Sequence, residues 1–238
     1  MDFGMKTKVI DWKVCANELY LEKLVSEGYK NLLTQSTGTD HIDLEEAKEL
    51  GIKVYNLPDY SSNAVAEFHF KQLLEFSRRE EYGFELQGKV LGIIGYGKIG
   101  RECGIIGKGF GMDIIPYDPI LLETQSENDL FSLLLSSHII FLCLPLNDKT
   151  RNYFSPVHFS YMKEKPVIVN CARRELLDEE MVSSFLKQGK ISGYITDDHC
   201  SFKDERVLST PHVAWKTKEA FERRLEQTDK KVKELMED

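Results

Sequence analysis

Three glycines and one acidic residue have the spacing of a ligand-binding turn. Gly95, Gly97 and Gly100 follow an apolar segment, and Asp118 ends the next one, "DIIPYD". In a strand–turn–helix unit, such glycines allow a tight turn, close approach of a pyrophosphate to the backbone, and close packing of the helix on the strand. Amide groups at the helix N-terminus would bind the phosphates. The acid would bind a ribose 2′-hydroxyl and repel a 2′-phosphate, which predicts NAD rather than NADP.

The segments around this turn alternate between short apolar runs and longer amphipathic ones. Predicted strands include "TKVIDW", "VLGIIGYG", "HIIFLCLP" and "PVIVNCA", and predicted helices include "SSNAVAEFHFKQLLEFSRREE" and a charged helix from about Lys218. Alternation of strands and helices indicates parallel sheets that are covered by helices on both faces. The sequence therefore predicts an α/β fold with a doubly wound parallel sheet.

Five segments follow one another along the chain: "ELQGKVLGIIGYGKIGRE", "LCLPLNDKT", "VIVNCARRELLDEE", "GKISGYITDD" and "LSTPHVAW". In this order they resemble the D-isomer-specific 2-hydroxyacid dehydrogenases, and "TGTD" and "PHVAW" are most similar to the hydroxypyruvate and glyoxylate reductases of that family. The resemblance implies a Rossmann-type NAD-binding domain and a smaller, truncated, flavodoxin-like α/β substrate domain. It also implies hydride transfer between NAD(H) and a small 2-hydroxy or 2-keto acid.

The resemblance further implies two catalytic residues. Arg173, in "NCARR", matches the family's arginine, whose planar guanidinium suits a carboxylate and a neighbouring carbonyl. His212, in "STPHVAW", matches the family's proton donor, and an imidazole releases a proton near neutral pH. Arg174 stands where the family usually has glycine, and it would either crowd the site or point to solvent.

The family's third catalytic member, a glutamate that pairs with the histidine, has no direct counterpart here. Phe202 occupies the aligned position. Asp204 or Glu205 would reach His212 if the shortened loop were rearranged, and otherwise they are solvated surface acids. Without such a partner, a protonated His212 lacks a stabilising negative charge.

Other contacts follow from the same resemblance. Cofactor-binding residues are expected at the glycine turn, after two further strands and near the nicotinamide amide: Gly95, Gly97, Lys98, Ile99, Gly100, Asp118, Cys171, Ala172 and Asp197. Ser36, Thr37 and Gly38 would bind the substrate carboxylate, with an ordinary turn as the alternative. Trp215 would line the substrate pocket or pack in the core.

Comparison with the family's usual length predicts a reduced substrate domain. We expect this domain to comprise residues 1–75 and 217–238, and the NAD-binding domain to comprise residues 76–216. So small a substrate domain would depend for its stability on the NAD-binding domain or on a second subunit, as in a homodimer.

Composition narrows the classes of function. The 31 Lys and Arg residues against 39 Asp and Glu residues, a net charge of -8, disfavour nucleic acid or an anionic membrane as partner. No signal peptide is visible, and five scattered cysteines without a CxxC pair indicate a reduced, cytoplasmic chain. No metal site is predicted, because the five remaining histidines lack metal-ligand spacing: His41, His69, His138, His158 and His199.

Two functions stay open from the sequence. The first is an NAD-dependent reductase of small 2-keto acids. The second is an NAD(H)-binding protein with weakened chemistry that acts as a sensor or an interaction module. The presence of Arg173, His212 and Asp118 favours the first function, whereas Arg174 and the missing glutamate favour the second.

Overall fold

The computed structural model describes residues 6–79, 81, 83–118, 120–121 and 125–237. It divides into two compact units, Met1–Ser61 with Lys216–Asp238, and Ser62–Trp215. Within the described residues, no helix has both the length and the apolar character needed to cross a bilayer.

The first unit contains a three-stranded parallel sheet in the order β1-β2-β3. Its strands are β1 (Lys6–Ile10), β2 (Tyr29–Thr34) and β3 (Lys53–Tyr55). Its helices are α1 (Glu18–Ser26), α2 (Leu44–Glu49) and α8 (Lys218–Glu237). Asn17 and Asp43 cap α1 and α2 through their side chains. Ile10, Leu21 and Leu32 are among the buried residues that form its core.

The second unit contains a six-stranded sheet in the order β5-β4-β6-β7-β8-β9, in which every pair is parallel. Its strands are β4 (Val90–Ile94), β5 (Asp113–Tyr117), β6 (Ile139–Leu142), β7 (Val167–Asn170), β8 (Gly193–Thr196) and β9 (Val207–Ser209). Its helices are α3 (Ser62–Phe76), α4 (Lys98–Gly109), α5 (Glu127–Ser136), α6 (Pro156–Tyr161) and α7 (Glu179–Lys187). A short 3₁₀ helix, Arg174–Leu176, follows β7.

Successive side chains of the central strands enter two different cores. On β6, Ile140 and Leu142 join one buried cluster, whereas Ile139 and Phe141 join the other. A strand that is buried on both faces must be apolar at every position, which explains the continuous run "IIFL". The predicted doubly wound α/β fold is confirmed.

Helix α3 marks where the compact units differ from the predicted domains. Its side chains Val65, Phe70 and Leu73 pack in the same core as Leu91 and Phe141 of the six-stranded sheet. The division therefore falls after Ser61 rather than after residue 75. The apolar face of α3 is readable from its sequence, but the sheet that this face covers depends on contacts with residues far along the chain.

Candidate active site

The glycine turn between β4 and α4 is built by close backbone contacts. Gly95 has a φ of +92°, and a Cβ there would lie 2.6 Å from the carbonyl carbon of Cys143. A Cβ on Gly100 would collide with the carbonyl oxygen of Gly95. Side chains are thus excluded at both positions by the backbone itself. The turn follows the end of β4 next to the neighbouring strand β6, where the strand order reverses and open α/β sheets bind ligands.

Gly97 differs from these two glycines because a Cβ there would meet nothing within 4 Å. It is the N-cap of α4, so the free amide groups of the first helical turn begin beside this open space, at Lys98 and Ile99. An open surface at a helix N-terminus fits a pyrophosphate, which binds backbone amides and gains from the helix dipole.

The two kinds of glycine are separable by mutation. Gly100→Ala is expected to lower the free energy of unfolding by about 1–3 kcal/mol, because the new methyl group must displace backbone. Gly97→Ala is expected to leave stability unchanged but to weaken NADH binding about ten-fold, because the methyl group occupies the open space. Urea denaturation and NADH fluorescence titration measure the two effects.

Gly109→Ala is the matched control, since it lies at the end of the same helix and its Cβ also meets nothing within 4 Å. It should change neither NADH affinity nor the fold. If Gly97→Ala bound NADH as tightly as Gly109→Ala, the phosphate-binding role of the turn would be contradicted.

Asp118 lies beside the turn, immediately after β5. Its Oδ2 accepts a hydrogen bond from the Tyr96 amide at 2.9 Å, and its Oδ1 accepts from the amides of Ile120 and Leu121 at 3.0 Å. The residue is only 7% exposed. The structure therefore brings the predicted ribose-binding carboxylate to the glycine turn and orients it through three amide groups.

Arg173 follows β7 at the same edge of the sheet, in a segment held by Asn170. The Asn170 Nδ2 donates to the Arg173 carbonyl at 2.8 Å, and its Oδ1 accepts from the Ala172 amide at 3.2 Å. The half-buried Arg173 donates from Nη1 to the Ala172 carbonyl at 3.0 Å, and Cys171 is buried. Asn170 was not identified from the sequence as a residue that positions Arg173. Its signal in the sequence is a polar residue at the end of the otherwise apolar strand "VIVN".

The neighbouring Arg174 points to solvent. Its side chain is 44% exposed and pairs with Glu175 at 3.8 Å. Of the two placements that the sequence left open, the structure shows the solvent-facing one.

His212 lies in the loop after β9, and Asp197 accepts hydrogen bonds from residues before and after it in that loop. The Asp197 Oδ1 accepts from the Thr210 hydroxyl at 2.6 Å and from the Val213 amide at 2.9 Å, and its Oδ2 accepts from the Ala214 amide at 2.7 Å. Asp197 is 2% exposed, and His212 has a φ of +54°. A buried carboxylate with three donors on the flanking residues sets the course of this loop.

Arg173 and His212 come to one edge of the sheet. Arg173 follows β7 and His212 follows β9, with β8 between the two strands. Since parallel strands end at the same edge and lie about 4.8 Å apart, the two segments begin about 10 Å from each other. The sequence left two placements for Trp215, the substrate pocket or the core, and its side chain packs against the core of this unit.

The two acids considered as partners of His212 lie elsewhere. Asp204 forms an ion pair with Arg206, in which Oδ2 accepts from Nη2 at 2.7 Å and Oδ1 accepts from Nε at 2.9 Å. Glu205 is exposed. Both residues precede β9, whereas His212 follows it, so they lie towards opposite ends of that strand. Phe202 packs against a core cluster.

Hydrogen bonds from Arg206 lower the pKa of Asp204 to about 2. A depressed pKa contributes stability above the unfolded value of 3.8, and this contribution is lost as pH falls towards 2. Asp204→Asn should therefore reduce stability at neutral pH by less than about 1 kcal/mol, because a pair near the surface is screened. The deficit should shrink between pH 4 and pH 2.

Urea denaturation at several pH values measures this deficit, with Glu205→Gln as the exposed neighbouring control. A deficit that stayed constant between pH 4 and pH 2 would show that the Asp204 charge does not stabilise the fold.

The remaining predicted residues form a hydrogen-bonded loop in the first unit. The Ser36 hydroxyl donates to the Gly38 carbonyl at 2.7 Å, and the Thr37 hydroxyl donates to the Leu57 carbonyl at 3.0 Å. The Asn56 side chain donates to the Thr37 carbonyl at 2.7 Å. Ser36, Thr37 and Gly38 thus lie in one compact unit, whereas the other predicted site residues lie in the other.

A model of one protein family matches most of the second unit. Residues 59–214 match the model of the D-isomer specific 2-hydroxyacid dehydrogenase, NAD binding domain. This range contains the glycine turn, Asp118, Arg173 and His212.

Similar proteins carry related names. D-3-phosphoglycerate dehydrogenase of Methanocaldococcus jannaschii is 35% identical, with 82% of this chain and 43% of that protein covered. Hydroxypyruvate reductase of Thermotoga maritima is 34% identical, with 83% and 75% covered. The crystal structure of D-lactate dehydrogenase from Aquifex aeolicus, complexed with NAD and lactic acid, has a TM-score of 0.83 at 27% identity, with 95% and 81% covered. The chain thus spans less than half of the phosphoglycerate dehydrogenase and about three quarters of the reductase.

Proposed function

Because the chain belongs to the D-isomer specific 2-hydroxyacid dehydrogenase family, we propose that it transfers a hydride between NAD(H) and a small 2-hydroxy or 2-keto acid. Glyoxylate and hydroxypyruvate are the substrates that we propose first. The name of the Thermotoga maritima reductase, together with "TGTD" and "PHVAW", supports this choice.

The observation that carries the proposal is the shared edge of the six-stranded sheet. The glycine turn follows β4, Arg173 follows β7 and His212 follows β9, at the edge where open α/β sheets bind ligands. This arrangement supports a nucleotide site with a cation and a proton donor beside it. Gly97 offers the open surface for the pyrophosphate, and Asp118 is the proposed ribose contact.

Reduction of a keto acid needs a cation and an acid beside the cofactor. NADH, when bound, supplies the hydride that adds to the carbonyl carbon. The Arg173 guanidinium binds the substrate carboxylate and polarises the neighbouring carbonyl oxygen. The imidazole N–H of His212 gives its proton to the oxygen as negative charge develops there. Asp197 acts through the loop, because its hydrogen bonds to Thr210, Val213 and Ala214 hold the position of His212.

The test is NADH oxidation by the purified full chain with glyoxylate, hydroxypyruvate, pyruvate and phosphohydroxypyruvate. Turnover of at least one of these acids is the expected result. The second candidate, a dinucleotide-binding sensor or interaction module, is favoured by Phe202 at the glutamate position and by the pairing of Asp204 with Arg206. Tight NADH binding without turnover of any of the four acids would contradict the reductase function and support the binding module.

We also propose that the protein acts in the reducing cytoplasm and forms a homodimer. Light scattering of the full chain tests the dimer, and a mass equal to one chain would contradict it.

A further inference from the structure

A histidine and two cysteines from distant parts of the chain meet beneath the glycine turn. His69 lies on α3, Cys103 on α4, and Cys143 directly after β6. Their ligand atoms all lie within 4.8 Å of one another. His69 and Cys103 are 1% and 0% exposed, and Cys143 is partly exposed.

A hydrogen bond fixes which nitrogen of His69 faces the thiols. Nδ1 lies 2.8 Å from the Val65 carbonyl oxygen, and because a carbonyl only accepts, Nδ1 carries a proton. Nε2 is therefore the nitrogen that faces Cys143, with its Sγ at 4.0 Å. Histidines that bind metals commonly donate their other ring N–H to a carbonyl in this way.

The cluster presents one imidazole nitrogen and two sulfurs, all within 4.8 Å of one another. Thiolate is the form of cysteine that binds metal ions.

We propose that His69, Cys103 and Cys143 form a binding site for a divalent transition metal ion of the Zn²⁺ type. Imidazole nitrogen and thiolate sulfur are the donors that zinc prefers. In tetrahedral coordination the donor atoms lie about 3.5–3.8 Å apart, so these side chains, whose ligand atoms lie within 4.8 Å of one another, must draw together by at most about 1 Å.

The charge and proton balance suit a buried position. Two thiolates and one neutral imidazole cancel the two positive charges of the ion, so no net charge is left in the core. Binding displaces about two protons, whether the cluster starts from neutral groups or from a thiolate–imidazolium pair. No oxidation or reduction takes place.

The site would act on the nucleotide turn. The Cys143 backbone is the group that excludes a side chain at Gly95, so a metal-driven movement of Cys143 reaches the turn directly. The proposal does not depend on the chemistry proposed for Arg173 and His212, because the metal is measured without NAD or keto acid.

Co²⁺ added to the reduced full chain is the direct test. We expect about one ion per chain, near-ultraviolet thiolate-to-cobalt absorption, visible bands of tetrahedral coordination, displacement by Zn²⁺, and release of about two protons measured with a pH indicator. Wild-type protein without the thiolate-to-cobalt band would overturn the proposal.

Cysteine variants assign the ligands. Cys143→Ser and Cys103→Ala are expected to weaken Co²⁺ binding about 100-fold and to remove the charge-transfer band, with folding verified by circular dichroism. Cys15→Ser and Cys200→Ser are the matched controls, because both thiols are free and lie outside the cluster. A band that survived both cluster variants, or that was lost in a control, would also overturn the proposal.

Discussion

Replacing Arg173 by alanine is expected to lower kcat/KM for the keto acid about 100- to 1,000-fold, while NADH affinity stays within about two-fold. The reason is that the guanidinium is proposed to bind the substrate carboxylate and to stabilise the negative charge that develops on the carbonyl oxygen. NADH oxidation and NADH fluorescence titration measure the two quantities. Arg173→Lys should recover little, since an ammonium group lacks the planar pair of donors.

Arg174 provides the control next in the chain. Its side chain is 44% exposed and pairs with Glu175, so Arg174→Ala removes a positive charge from the same segment without touching the proposed substrate. We expect its kcat/KM to stay within about two-fold of wild type. Equal losses in the two variants would mean that Arg173 acts only through the overall charge of the segment, and the catalytic assignment would fail.

His212→Gln is expected to lower kcat about 100- to 10,000-fold, because the alkoxide then lacks its positioned proton donor. Binding of NADH should not change, since the glycine turn and Asp118 lie at other strands. Steady-state kinetics over a range of keto acid concentrations separates this loss in kcat from a change in KM.

His199→Gln is the matched control, because His199 is exposed and follows β8 rather than β9. Its kinetics should match those of the wild type. If His212→Gln kept wild-type turnover, the proton would have to come from water or another group, and the proposed mechanism would be wrong. The dinucleotide-binding module would be favoured if neither wild type nor variant turned over a keto acid.

Much of the second unit follows from local sequence patterns. The run "VLGIIGYGKIG" predicts strand, turn and helix, and the structure has β4 ending at Ile94, a φ of +92° at Gly95 and α4 beginning at Lys98. In the first unit, the final helix, predicted from about Lys218, begins at that residue. Such features depend on backbone geometry and on periodicity within a few residues, so they can be read directly from the chain.

Two features depended on contacts between residues far apart in the chain, and a third on a local pairing in the loop before β9. The sequence showed the apolar face of α3, but not that Phe70 packs in the core of the six-stranded sheet. It left Asp204 as a candidate partner of His212, whereas the folded chain pairs Asp204 with Arg206. It also assigned His69 an ordinary structural role, because nothing in its spacing from Cys103 or Cys143 suggests shared ligation.

From the amino-acid order alone one obtains the alternating elements, the glycine turn with its acid, and the family that these residues resemble. Chain folding adds the groups that two side chains meet: Asp197 contacts the loop of His212, and His69 faces two thiols. The physical reason is the range of the interactions. Hydrogen-bonded turns and helices are determined by near neighbours, whereas polar and thiol clusters form only where separate strands and helices pack together.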